Sequence, residues 1–195
     1  MNRRALLQAL GLALGAALAE HALAAAEGGA LHAKSAASKL DAAQLEMVAQ
    51  LAELILPRTE TPGAIDAGVP AFIDHIVSDW YSADERAIFV EGLRAVDEFC
   101  VRNYARDFVA CDTAQRVAAL QSLEQQAASY VPPPGTSVFG KPDERSPFFF
   151  KLKLLTVLGY YTSEAGATSE LAFNPVPARY DGNVDFATVG KQWTS

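Results

Sequence analysis

Asp41-Ala42-Ala43-Gln44-Leu45-Glu46-Met47-Val48-Ala49-Gln50-Leu51-Ala52-Glu53-Leu54-Ile55-Leu56-Pro57 carries the signs of an amphipathic helix from one end to the other. Asp41 is a natural N-cap, Gln44 completes the capping-box spacing, and Leu40 with Leu45 suits a hydrophobic staple. Leu45, Val48, Leu51, Ala52, Ile55 and Leu56 recur on one stripe, and Pro57 stops the helix. Such a stripe needs helices to pack on. The same start signal occurs twice downstream. Ser82 with Glu85 opens a long helix to about Arg102, with Phe89, Leu93, Val96, Phe99 and Cys100 inward. Asp112 with Gln115 opens another, with Val117, Leu120, Leu123 and Ala127 inward. Between the first helix and these two, Pro62-Gly63 marks a turn. Pro70 then opens a second helix that places Phe72, Ile73, Ile76, Val77 and Trp80 inward.

The composition shifts near residue 130. Seven of ten prolines and eleven of eighteen aromatic residues lie from Tyr130 onward, while no alanine occurs between Ser129 and Glu164. Tyr130-Val131-Pro132-Pro133-Pro134-Gly135 is stiff and helix-free. Ser146-Pro147 then starts a fifth helix by cap and first-turn logic, carrying Phe148, Phe149, Phe150, Leu152, Leu154, Leu155, Val157 and Leu158. It is apolar nearly all round, apart from Lys151 and Lys153, so it belongs at the centre of a bundle or under a partner. A short helix to about Leu171 and an irregular tail follow. Alternation of strand type is scarce. The expected fold is all-α: an irregular bundle of about five main helices with a Pro- and aromatic-rich C-terminal arm.

The chain has 195 residues and a formal charge of −7, half of it hydrophobic and a fifth charged. That length suits one domain, and an acidic chain with no basic stripe argues against nucleic acid. Arg3-Arg4 precede a short run of Ala, Leu and Gly, and small residues at Ala22–Ala26 offer cleavage after Ala24 or Ala26. Together these are export-signal features, and the adjacent arginines resemble a twin-arginine signal. The expected organisation is a signal at 1–24, a linker at 25–39 and a helical domain at 40–195. A route that carries folded proteins is seldom needed by a small chain without a cofactor, but it suits a complex with a cofactor-bearing partner.

Cofactor ligands are scarce. There is no C-x-x-C-H, no cysteine cluster, no dinucleotide-binding G-x-G-x-x-G and no recognisable nucleophile setting. No catalytic, cofactor-binding or metal residue is assigned. Asp74, His75 and Asp79 make a weak metal arrangement, more simply read as solvated acids beside a boundary histidine. Glu85 and Glu91 are read as solvent-exposed. Cys100 and Cys111 flank one helix connection; in an oxidising compartment a bridge is reasonable, and two buried thiols are the alternative. The aromatic arm covers either the chain's own bundle or a separate protein. On the second reading Phe148, Tyr160, Tyr161, Phe173, Tyr180 and Trp193 form the partner interface.

The segment from Leu51 to Thr59, with Thr61-Pro62-Gly63-Ala64 and Ala67-Gly68-Val69-Pro70-Ala71-Phe72-Ile73-Asp74, resembles the N-terminal signature of the gluconate 2-dehydrogenase subunit 3 family. Gly159-Tyr160-Tyr161-Thr162-Ser163-Glu164, with Gly166-Ala167-Thr168 and Pro175–Gly182, is similar to its C-terminal signature. The resemblance implies a non-catalytic small subunit of a periplasmic sugar, sugar-acid or glycoside dehydrogenase. The large subunit would carry FAD and be of the glucose–methanol–choline type. A c-type cytochrome with haem c is a further partner implied in some members. Export of the large subunit together with the small one would explain a folded-protein signal on this chain. Outside that resemblance, the sequence leaves two other readings: a free-standing periplasmic binding or structural protein, and a sugar oxidoreductase in its own right.

Overall fold

The computed structural model describes residues 40–136, 143–173 and 183–194. Five main helices make up the described domain: α1 (Ala42–Ile55), α2 (Val69–His75), α3 (Ala83–Tyr104), α4 (Thr113–Ala127) and α5 (Phe148–Tyr161). A π-helical turn at Ile76–Trp80 extends α2, a 3₁₀ turn at Phe108–Ala110 joins α3 to α4, and a second π-helical turn covers Gly166–Glu170. Near the C-terminus, the two-residue strands β1 (Ala172–Phe173) and β2 (Trp193–Thr194) pair in parallel around a short α6 (Phe186–Val189). The fold is all-α apart from this small ladder. No helix among the described residues is long and apolar enough to cross a membrane.

All three capping boxes form. The side chains of Asp41, Ser82 and Asp112 each accept from the backbone three residues on, and Gln44, Glu85 and Gln115 reach back. Two bonds per helix end satisfy donors that would otherwise be left open. The fifth helix starts differently: Pro147, not Ser146, is the N-cap, and no side chain caps it. Packing holds it instead. α5 contacts α1, α2, α3 and α4, which is why it can be apolar on nearly every side. Gly92 of α3 lets it come close, because a Cβ there would lie 2.1 Å from Cγ of Phe148.

The core runs through Val48 and Leu51 of α1, Val69 and Ile73 of α2, Phe89, Leu93 and Val96 of α3, and Leu152 of α5. Two inward assignments fail. Trp80, expected inside, is 71% exposed. The π-helical turn shifts the side-chain register after His75, so Ser78 is buried in its vicinity and donates to Asp74 Oδ1 at 3.1 Å. Val117, also expected inside, is exposed. α4 buries its smaller Ala119 and Ala127, with Leu120 and Leu123 partly covered.

Candidate functional site

Among the described residues, two regions on α5 bring sequence-distant residues together. The first is a corner built from the loop after α1 and the C-terminal end of α5. Glu53 folds back over this loop, its Oε1 accepting from Arg58 N and its Oε2 from Ile65 N, both at 2.9 Å. Asp66 accepts from Gly63 N at 3.2 Å and pairs with the Arg58 guanidinium. That hydrogen bond with Arg58 holds the Asp66 carboxyl below the usual carboxylate range. Tyr160 crosses from α5 to donate its hydroxyl to Pro62 O at 2.8 Å. Beside it, Gly159 faces Phe72, where a Cβ would lie 2.7 Å from Cδ1. The corner is closed on itself: its polar groups are used for geometry, and among the described residues they leave no convergent set of free donors.

The second region is a cleft of about 580 Å³ between α5, the start of α3 and the Tyr130–Thr136 segment. Tyr81, Tyr130, Pro132, Phe150, Leu154, Leu155 and Val157 give it apolar walls. That size falls within the range of ordinary ligand pockets. Lys151 lies in its lining although only 3% exposed. Its Nζ is 3.4 Å from Glu85 Oε1 and 3.5 Å from Asp143 O, and it sits over the Tyr81 ring at 5.0 Å. The other Glu85 oxygen accepts from Ser82 N and Oγ, each at 3.0 Å. One carboxylate thus caps α3 and neutralises a buried ammonium. Burial, with the Glu85 charge nearby, pushes the Tyr81 phenol above its usual range. Desolvation and the 2.9 Å bond that Tyr130 Oη donates to Asp143 Oδ2 also push the Tyr130 phenol up. Tyr130 is a donor to Asp143, and both rings contribute apolar surface to the cleft.

Phe150, Leu154 and Tyr161 extend this region along α5. Their spacing places them on one face, where they are 38%, 37% and 39% exposed. Of the six residues expected at a partner interface, Tyr161 and the 50%-exposed Trp193 are available at the surface. Phe148 and Tyr160 are not. Phe148 is buried against Phe89 with ring centroids 5.0 Å apart, and Tyr160 is committed to the corner. Tyr180 and the side chain of Phe173 lie outside the described residues, as do Arg3, Arg4 and the whole of 1–39.

The solvent-exposed reading of Glu85 is corrected by its pairing with Lys151, with only 13% of its side chain exposed. Lys151 itself was findable in the sequence: it stands three residues after Phe148 and four before Leu155, on the stripe those residues bury. A lysine there must extend its head to the surface or find a carboxylate. Which carboxylate was not findable, since Glu85 is 66 residues away. Around His75, Asp74 is half-buried and accepts from Leu40 N at 3.0 Å, while His75 Nδ1 and Asp79 Oδ2 are 2.9 Å apart at the surface. Among the described residues no group of three or more His, Cys, Asp or Glu is arranged to hold a metal ion. Cys100 and Cys111 are both buried and unbridged.

The family described as Gluconate 2-dehydrogenase subunit 3 matches this chain over residues 42–178. Comparison with curated proteins and with solved structures gives no match.

Proposed function

This chain belongs to the gluconate 2-dehydrogenase subunit 3 family, and from that premise we propose that it is the non-catalytic small subunit of an exported dehydrogenase complex. The partner in this reading is a large FAD-dependent flavoprotein of the glucose–methanol–choline type that oxidises a sugar, sugar acid or glycoside. A c-type cytochrome carrying haem c is a further partner for the electrons. The family match carries the proposal. The open strip of Phe150, Leu154 and Tyr161, continuous with the cleft, supplies a surface for it.

The physical role is scaffolding. A partner that buries this strip gains apolar contact without refolding the bundle, and binding only to the folded flavoprotein stabilises that form by linkage. Arg3 and Arg4 belong to a twin-arginine signal over 1–24, followed by a linker and the helical domain, and the assembled complex reaches the periplasm already folded. Specificity for the sugar resides in the partner's pocket.

Affinity purification of the tagged chain from the periplasm of its native host tests this reading. A flavoprotein of that type, with bound FAD, is expected in stoichiometric amount. Recovery of the chain alone and monomeric overturns the assignment. Replacing both arginines, R3K with R4K, is expected to retain the two proteins together in the cytoplasm. Continued export of the flavoprotein in that variant removes the co-export role.

A further inference from the structure

The α3–α4 connection holds a pair of nucleophilic groups that neither region above uses. Cys100 lies near the end of α3, Cys111 closes the 3₁₀ turn just before the Asp112 cap, and both free thiols are buried in the same core cluster. The connection between them is clamped by bonds that involve neither thiol. Ala105, with φ of 55°, turns the chain out of α3. Phe108 N donates to Asp97 Oδ1 at 2.9 Å, and Cys111 N donates to Phe108 O at 3.1 Å. From α4, Arg116 donates to Phe108 O at 3.3 Å and Val109 O at 2.6 Å, and its third contact is Gln50 Oε1 on α1 at 2.7 Å.

We infer that Cys100 and Cys111 form an intramolecular disulfide that locks the α3–α4 connection when the folded chain meets a disulfide oxidant. Cys111 reacts first, since it keeps 3% of its surface open beside a short 3₁₀ turn, whereas Cys100 is fully covered and held within a continuous helix. The Cys111 thiol loses its proton to water and attacks one sulfur of a small-molecule disulfide, releasing one thiolate. The Cys100 thiol then loses its proton and attacks the Cys111 sulfur of the mixed disulfide, and the second small-molecule thiolate leaves. The protein is oxidised by two electrons, and the reagent disulfide is reduced to two thiols. Burial and the neighbouring Cys111 push the Cys100 thiol up to about 12. The resolving step therefore draws on little thiolate while the connection is closed.

The full-length reduced chain treated with oxidised glutathione tests this. The expected product is lighter by two hydrogens, carries no glutathione, and yields one linked peptide joining Cys100 to Cys111. Its thermal midpoint is expected to rise by about 4–10 °C, the size of effect that closing a short loop has on a domain of this length. C100A is expected to accumulate a stable glutathione adduct at Cys111, and C111A to remain largely unmodified over the same time. A persistent adduct on the wild-type chain, disulfide-linked dimers, or no loss of hydrogen in urea concentrations that open the connection overturns the pairing. Equal adduct rates in the two variants overturn the order of attack.

Discussion

The corner around Pro62 and the cleft around Lys151 lie on the same helix, α5, yet spend their residues in opposite ways. In the corner nearly every polar atom with a role is matched by a short bond: Glu53 spans two backbone donors, Asp66 takes Gly63 and Arg58, and Tyr160 takes Pro62. In the cleft the central polar group, Lys151, is held by contacts of 3.4 and 3.5 Å and a ring face, and the apolar walls are left open. One face of the helix is finished within the chain. Another presents surface.

The strongest way to break this contrast is to disturb the buried pair. In Lys151→Met the Glu85 carboxylate loses its ammonium while remaining largely covered, a situation that costs about 3 kcal/mol. Urea denaturation is expected to show that loss. Adding Glu85→Gln should recover most of it, because Gln keeps the capping-box geometry with Ser82 and no charge is then buried. A loss below about 1 kcal/mol in the single variant, the ordinary worth of an exposed ion pair, places Lys151 in water and removes the buried pair from the cleft.

Smaller effects are expected in the corner. Gly159→Val forces atoms against Phe72 from a position where even a Cβ would lie 2.7 Å from the ring, at a cost of about 1–3 kcal/mol. Tyr160→Phe keeps the buried ring and removes one hydrogen bond, costing about 1 kcal/mol. Thermal unfolding followed by circular dichroism distinguishes the two. If Tyr160→Phe proves as damaging as Gly159→Val, the hydroxyl bond to Pro62 O rather than close helix packing dominates the corner.

What was legible in the sequence had a short range. The capping boxes at Asp41, Ser82 and Asp112 depend on atoms three residues apart, and all three form as their spacing implies. The crowding of Phe and Leu after Pro147 implies a helix at the centre of the bundle or under a partner, and α5 indeed contacts four other helices while Phe150 and Leu154 stay exposed. Trp80 could not be placed that way, because a 3.6-residue period does not anticipate the π-helical turn that rotates it outward. Nor does aromatic character separate Phe148 and Tyr160 from Tyr161: all three suit an interface chemically, and only tertiary packing buries the first two. The cleft was least legible, since its key charge pair joins residues 66 positions apart and Asp143 enters from a third segment.

The most informative substitutions are those expected to change stability least. Phe150→Ser and Leu154→Ser, made together, remove exposed apolar surface from the strip, and neither residue belongs to the buried cluster. Surface changes of this kind usually alter stability by no more than about 0.5 kcal/mol each. Apolar anchors at a protein interface can nevertheless carry 2 kcal/mol or more of binding, roughly a thirtyfold loss in affinity per anchor. The double variant is therefore expected to unfold like the wild-type chain and to lose the flavoprotein during co-purification. Retention of the partner at wild-type levels moves the interface to another face. Loss of folding instead makes the strip part of the chain's own core. Either result erases the contrast between a helix face that the protein closes for itself and one that it leaves for another chain to cover.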